Sequence, residues 1–252
     1  MALAVIVVLG GGLLLFLPAR VTRWVWPIGP FNARFLGAVY LAELVGGAVL
    51  VVVARHFPAR VVIPAAWTFT AVVTLASFVQ LPDFDLDRRG PRAWFVAYVG
   101  FTLLLPFFFD GLRRGPQPPP TSPAWRRWFQ GEGVVLCAYG AGLLVAPEPL
   151  TGFWPWGIDA FHGRIYSAAF LTVGVGSLLL AARSSIGALR ALGSSRLVLG
   201  VLSVLGLVLA DARVGTVDWG APGTLVWTAA FAGMAVVGAL MLRPAARPAP
   251  RH

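Results

Sequence analysis

The chain alternates long apolar runs with short polar breaks rich in Pro and Arg. A helix needs about 20 residues to cross a hydrocarbon core of roughly 30 Å, and the longer runs meet that length, whereas 1–17 and 133–146 fall short. The pattern predicts an all-α integral membrane protein with eight transmembrane helices. Their approximate positions are 1–17, 34–54, 61–81, 93–109, 133–146, 161–182, 196–210 and 224–242.

One stretch of the chain occurs twice. Residues 24–34 read Trp-Val-Trp-Pro-Ile-Gly-Pro-Phe-Asn-Ala-Arg, and residues 154–164 read Trp-Pro-Trp-Gly-Ile-Asp-Ala-Phe-His-Gly-Arg. At a constant offset of 130 positions the Trp, Ile, Phe and Arg residues coincide without a gap, and each copy precedes an apolar run. The chain is therefore predicted to be an internal duplication of two tandem four-helix repeats. Four is an even number, so the two repeats should be parallel.

This duplication divides the chain into four parts. The first membrane repeat covers 1–112 and the second covers 131–242. Between them lies a Pro/Arg/Trp-rich connector, 113–130, in which a proline run is expected to be extended. A basic tail, 243–252, follows the second repeat and is expected to be disordered.

The tryptophans of the duplicated stretch have two interpretations. Indole rings suit the headgroup region of a bilayer, so Trp24, Trp26, Trp154 and Trp156 are predicted to form an interfacial belt. The alternative is that each stretch, interrupted by proline, folds back as the rim of a binding site.

Small residues recur every four positions in the apolar run that follows each copy of the duplicated stretch. The spacing places each set on one face of a helix, where small side chains let two membrane helices approach closely. We therefore predict that helices 34–54 and 161–182 pack on each other through these stripes. The first stripe contains Ala38, Ala42 and Gly46, and the second contains Ala168, Thr172 and Gly176.

Composition supports a membrane protein. Hydrophobic residues make up 58% of the chain and charged residues 12%, against roughly a quarter charged in soluble domains. The net charge of +10 comes from twenty Arg and no Lys, placed in short blocks between apolar runs. That placement suits positive flanks of membrane helices and not a nucleic-acid face, so no nucleic-acid partner is expected.

The distribution of arginine predicts orientation and lipid preference. More Arg residues fall on the side that carries both termini, which predicts cytoplasmic termini in a bacterial inner membrane. The Arg/Trp end of the connector, Trp125 to Trp128, is expected to lie on anionic lipids at the same face.

Glu43 is the most informative single candidate. It follows Arg34 by nine residues, which at about 1.5 Å per residue places it roughly 13 Å into the membrane core. Ionisable groups at such depth are costly and tend to mark transport or proton sites. The alternative is a structural carboxyl group that is protonated or locally hydrogen-bonded, since the equivalent position is Val173.

Further ligand-binding candidates lie at the start of the second helix of each repeat. Arg34 and Arg164 recur in both copies. Either they snorkel at the helix start or tie down the Trp-Pro stretch through its carbonyl groups, or they present guanidinium groups to an anion. Asp159 and His162 accompany Arg164 in the second copy only.

Catalytic and cofactor motifs are missing from the sequence. There is no G-x-S-x-G, H-E-x-x-H or phosphate-binding Gly-Lys loop, and no nucleophile–base pair is visible. With one Cys and three well-separated His, neither a metal site nor haem is expected. We predict no cofactor and no catalytic residue.

The motifs resemble one group of proteins. The Trp-x-Trp-Pro…Ala-Arg-x-x-Gly pattern at Trp24–Gly37, its second copy at Trp154–Arg164, and the loop Asp83-Phe-Asp followed by Trp94-Phe-x-x-Tyr98 are similar to uncharacterised bacterial multi-pass membrane proteins. In the second copy Gly163 and Ser167 depart from the pattern. The resemblance implies a membrane fold only.

Two hypotheses of function follow. The first is a small transporter or permease-like protein whose site lies between the two repeats, indicated by Glu43 and by the short runs 1–17 and 133–146. The second is a non-catalytic membrane subunit or assembly factor, which would dock a protein partner or a second copy through the connector.

Overall fold

The computed structural model describes residues 12, 14–16, 24–53, 56–109, 118 and 120–243. In these ranges the secondary structure is helical apart from one isolated bridge between Pro120 and Arg183. Within them, seven helices are long and apolar enough to cross a membrane. They are α1 (Pro30–Val53), α2 (His56–Val79), α3 (Arg89–Leu104), α4 (Pro123–Val145), α5 (Ala160–Ala182), α6 (Ile186–Val214) and α7 (Pro222–Leu242). Most of the predicted first helix, 1–17, lies outside the described residues.

Local sequence explains where several helices begin and end. Pro123 and Pro222 occupy the first turns of α4 and α7, where proline loses no helical hydrogen bond. The Asp159 and Ser185 side chains cap α5 and α6 by accepting backbone N–H bonds. Gly215 ends α6 in the left-handed conformation, with φ of 66°, that glycine adopts most easily.

Two helices are longer than predicted. α4 begins at Pro123 and not near 133, because the Arg/Trp segment assigned to the connector is helical, with Trp125 stacked on Phe129 at 5.0 Å. α6 begins at Ile186 and not near 196, so Arg190 and Arg196 lie within a helix. The predicted short helix 133–146 is therefore a full-length helix. The loop between α5 and α6 is shorter than predicted.

Four helices form the centre of the bundle. α1 packs along α6, and α2 packs along α5, while α4 covers α5 and α7 covers α6. α3 lies beside α2. Each central interface thus joins one helix from the first half of the chain to one from the second half.

The small-residue stripes pack on different partners from those predicted. Gly46 of α1 lies against Ala191 and Ser195 of α6, and Gly176 of α5 lies against Leu192 of α6 and Ala65 of α2. Direct packing of α1 on α5 along the stripes is therefore wrong as the main interface, although the other stripe residues are buried. Those residues are Ala38, Ala42, Ala168 and Thr172.

α1 and α5 meet at their N-terminal ends instead. The ring centroids of Phe35 and Tyr166 are 4.7 Å apart, and the Tyr166 hydroxyl donates to the carbonyl oxygen of Asn32 at 3.1 Å. Further along, the two helices leave a gap between them, so large side chains close one end of the interface and small ones leave space in the middle.

Candidate functional site

The two Trp-Pro stretches cover one end of the central helices with a tryptophan layer. It consists of Trp24, Trp26, Trp94, Trp154, Trp156 and Trp227. Trp26 and Trp154 are only 3% and 7% exposed. These two indoles therefore pack inside the protein, where their N–H groups find partners in the chain itself: Trp26 donates to His162 and Trp154 to the Tyr139 hydroxyl.

Two hydrogen bonds link the stretches across the layer. The Trp26 indole N–H donates to His162 Nε2 at 3.2 Å, and the Trp156 indole N–H donates to Asn32 Oδ1 at 2.7 Å. Positions 26 and 156, and positions 32 and 162, are each 130 apart. The same contact is thus made twice: Trp26 of the first stretch bonds to α5, and Trp156 of the second stretch bonds to α1.

Ring contacts recur at equivalent positions as well. Trp24 lies 6.2 Å from Tyr40, and Trp154 lies 6.3 Å from Phe170, again with an offset of 130. In the flanking helices the offset is 133. There the pairs are Trp94 with Tyr98 at 4.2 Å, and Trp227 with Phe231 at 4.4 Å.

His162 and Asp159 form the polar part of the layer. The indole N–H of Trp26 can only donate, so His162 Nε2 accepts and the ring carries its proton on Nδ1. Nδ1 faces Asp159 Oδ2 at 2.7 Å, and Asp159 Oδ1 accepts the backbone N–H of His162 at 2.8 Å. These hydrogen bonds hold the pKa of Asp159 below its usual value of 3.8, and the bond with the His162 ring has the largest effect.

A depression of about 620 Å³ opens on the surface of the tryptophan layer. Phe31 and Trp156 line it and stack on each other at 5.6 Å, and the exposed carboxylate of Glu148 lies at its edge. Its volume falls within the range of small-molecule pockets.

A second, smaller cavity of about 70 Å³ lies among α1, α2, α5 and α6. Glu43 and the glycines Gly46 and Gly47 line it from the first half of the chain, and Thr172 and Ser195 line it from the second. The Thr172 hydroxyl is buried and has no hydrogen-bond partner in the described part of the chain. A water molecule occupies about 30 Å³, so the cavity has room for about two, which would satisfy this hydroxyl.

Arg196 also lines this cavity, from α6. It is 2% exposed and forms an ion pair with Glu132 of α4 at 3.2 Å. Ser177 of α5 contacts both members, donating to Glu132 at 2.8 Å and accepting from Arg196, and the guanidinium also lies 5.5 Å from the Phe129 ring centroid. The bonds give the buried charges partners on three helices.

The ion pair is a site feature that sequence reasoning missed. The predicted helix 196–210 has Arg196 only at its first position, and Glu132 lies just before the predicted helix 133–146. Had 186–214 been treated as one apolar run, an arginine in its interior would have required an acidic partner, because a lone charge inside a membrane helix is costly.

The predicted site residues separate into three places. Asp159 and His162 lie in the tryptophan layer, and Glu43 lines the central cavity. Arg34 is 2% exposed and packs on Gly206, and its Nη1 donates to the Pro30 carbonyl oxygen at 3.4 Å. Arg164 is half-buried, and neither arginine lines the surface depression or the central cavity.

The fold and the site together define a class of protein: an all-α, multi-pass membrane protein with a small cavity inside the helix bundle that Glu43 and Arg196 help to line. Comparison with protein-family models, with curated protein sequences and with solved structures finds no match.

Proposed function

We propose that this protein is a small transporter or permease-like protein whose solute site is the central cavity. The observation that carries the proposal is the make-up of that cavity: Glu43 faces it from one half of the chain, while Thr172, Ser195 and Arg196 face it from the other half. Transporter sites lie between pseudo-symmetric halves near the membrane midplane, where ionisable residues are otherwise avoided.

The tryptophan layer acts as the closed gate above this site. Hydrogen bonds from Trp26 to His162 and from Trp156 to Asn32 tie the two stretches together, and the surface depression serves as the entry on the far side of the layer. Breaking these contacts opens a route from the depression to the cavity. Alternating access by relative movement of two halves needs such a reversible seal.

The finer architecture belongs to the same proposal. We infer two tandem, parallel four-helix repeats, with an eighth span at 1–17 and both termini on the cytoplasmic face of a bacterial inner membrane. The ring contacts and hydrogen bonds that recur at offsets of 130 and 133 support the duplication.

The proposal is tested by asking whether water-soluble reagents reach the cavity. Cys137 is first replaced by Ala, and Ser195→Cys is introduced as the reporter. In native membranes, we expect S195C to react with a charged, membrane-impermeant methanethiosulfonate, because transport requires the cavity to open to water. Labelling is followed as blockage of later maleimide attachment.

Ser203→Cys is the matched control, because Ser203 lies on the same helix, is 1% exposed and does not line the cavity. S203C should stay unreactive. If S195C is equally unreactive from both sides of the membrane, the cavity is sealed and the transporter hypothesis fails.

The rival hypothesis, a non-catalytic subunit or assembly factor, has a separate test. Tagged protein is isolated from its native membrane in mild detergent and analysed by mass spectrometry. A stoichiometric protein partner, together with an unreactive S195C, supports the subunit hypothesis, whereas recovery alone or as a homo-oligomer with a reactive S195C supports transport.

A further inference from the structure

Two carboxylates and one guanidinium lie around the central cavity, and their charges do not balance. Arg196 and Glu132 form an ion pair at 3.2 Å, and the Glu132 side chain is only 13% exposed. Glu43 and Arg196 line the same cavity without direct contact, and Glu43 forms no ion pair with any described residue. With all three groups ionised, the cluster would carry a net charge of −1 inside the membrane-spanning bundle.

The surroundings of Glu43 offer no second cation among the described cavity-lining residues. Val62 and Ala65 of α2 and Thr172 and Val173 of α5 are uncharged. From α3, Tyr98 lies within Coulombic range of Glu43, and its hydroxyl donates to the Tyr40 hydroxyl of α1 at 3.3 Å. These groups can solvate a carboxyl group but cannot neutralise a carboxylate.

An uncompensated charge in a low-dielectric interior costs far more than a neutral polar group, and a carboxyl group avoids this cost by binding a proton. Arg196 already has Glu132, Ser177 and the Phe129 ring as partners, so Glu132 is the carboxylate that has a counter-ion in direct contact. The remaining carboxyl group is Glu43. Neutrality of the cluster then requires one proton, and Glu43 is where that proton is held.

We propose that Glu43 carries an exchangeable proton and that Arg196 is the shared counter-ion of Glu43 and Glu132. When Glu43 releases its proton to water in the cavity, the new carboxylate attracts the guanidinium, which then lies between the two carboxylates. This inference rests on the proposed function in one respect: if the protein is a transporter, the proton held by Glu43 is the ion whose movement is coupled to that of the solute.

Infrared spectroscopy tests the proton assignment without a transport assay. Full-length protein is placed in lipid bilayers at neutral pH, where aqueous Asp and Glu side chains are ionised. We expect the C=O stretching band of one protonated carboxyl group per chain. Glu43→Gln should abolish the band, and so should Glu132→Gln, because Arg196 is then left with Glu43 as its only carboxylate and neutralises it without a proton.

Glu148→Gln is the matched control, since Glu148 is exposed in the surface depression, and it should leave the band unchanged. Far-UV circular dichroism and size-exclusion chromatography check that each variant is folded, and if E132Q does not fold, E43Q alone decides. A band that survives E43Q overturns the assignment of the proton. A band that survives E132Q overturns the role of Arg196.

This outcome is separable from that of the transport proposal. If the infrared bands behave as expected but S195C does not react with the methanethiosulfonate, Glu43 is a proton site and the transport proposal fails. A reactive S195C with an unchanged band in E43Q would retain transport and reject proton coupling.

Discussion

At the scale of single residues, two indoles of the tryptophan layer use acceptors of different chemical type. Tryptophan can only donate, and the acceptor is His162 Nε2 for Trp26 and Asn32 Oδ1 for Trp156. Asp159 then fixes the histidine, because it accepts from both Nδ1 and the backbone N–H. This explains why Asp159 and His162 occur together, with Gly29 and Asn32 at the equivalent positions.

Asp159 should make stability depend on acid pH. Its folded pKa lies below the usual 3.8, so its contribution is fully present above that value and is lost as the pH falls through the lower folded pKa. Removing this N-cap with Asp159→Ala should also cost about 1 kcal/mol at neutral pH.

The measurement is thermal unfolding of detergent-solubilised protein as a function of pH. Wild type should lose stability below pH 3.8 more steeply than D159A does. Asp218→Ala, which removes an exposed carboxylate from a loop, provides the comparison. Parallel pH curves for wild type and D159A would contradict the assigned role.

The acceptor nitrogen of His162 gives a second test at the residue scale. His162→Asn restores the pairing that Asn32 makes with Trp156 and should keep the layer closed, whereas His162→Leu removes the acceptor and should cost about 1 kcal/mol. Comparable unfolding temperatures for H162N and H162L would show that this hydrogen bond does not hold the layer together.

At the scale of helices, close backbone contact decides which pairs of helices form. α6 and α7 approach so closely that a Cβ at Gly200 would collide with the backbones of Phe231 and Ala235, and one at Gly238 would meet that of Gly193 and Leu197. Membrane helices gain packing energy in this way where lipid offers no hydrophobic drive. Gly193, Gly200 and Gly238 therefore allow the close contact between α6 and α7.

Gly200→Ala should separate α6 from α7 and destabilise the protein by about 1–3 kcal/mol, the usual cost of overpacking. Gly233→Ala on α7 is the control, because a Cβ there would meet no heavy atom within 4 Å. Steric-trapping or thermal unfolding in bicelles measures the difference. Equal stability of the two variants would mean that the helices are not in close contact at Gly200.

The ion pair between α4 and α6 should behave as a unit. Arg196→Met alone leaves Glu132 buried without its cation and should cost about 3–5 kcal/mol, whereas the double variant Arg196→Met with Glu132→Met should recover most of that loss. The same unfolding assay applies. Additive losses in the double variant would indicate that the two residues do not interact.

At the scale of the whole molecule, the number of spans fixes the sides on which the termini lie. Seven spans place the termini on opposite faces, whereas the proposed eighth span at 1–17 returns them to the same face. The central helices pair across the two halves, α1 with α6 and α2 with α5, so each half packs its central helices on the other half.

Single cysteines near the two ends, Leu3→Cys and Ala249→Cys in a Cys137→Ala background, test this count. We expect both to be protected from an impermeant maleimide in intact cells and both to react in inverted vesicles, since the Arg distribution favours cytoplasmic termini. Opposite labelling of the two positions would reject the eighth span.

Much of the fold is determined by the sequence alone. Apolar runs of the right length predict the membrane helices, since a bilayer accepts a backbone only if its hydrogen bonds are satisfied within the helix. Helix α5 begins within one residue of its predicted start, because Asp159 is a strong N-cap. Glu43 was found because an acidic residue inside such a run stands out by itself.

Only the tertiary structure decided which helices meet and which polar groups share a site. The stripe of small residues indicates a face for packing, but it does not specify a partner, and Gly46 packs on Ser195 and not on α5. Likewise, Glu132 and Arg196 are 64 positions apart and become partners only because α4, α5 and α6 bring them together around Ser177. Local sequence encodes helix formation, whereas pairing across the bundle depends on the complementary shapes and charges of distant segments.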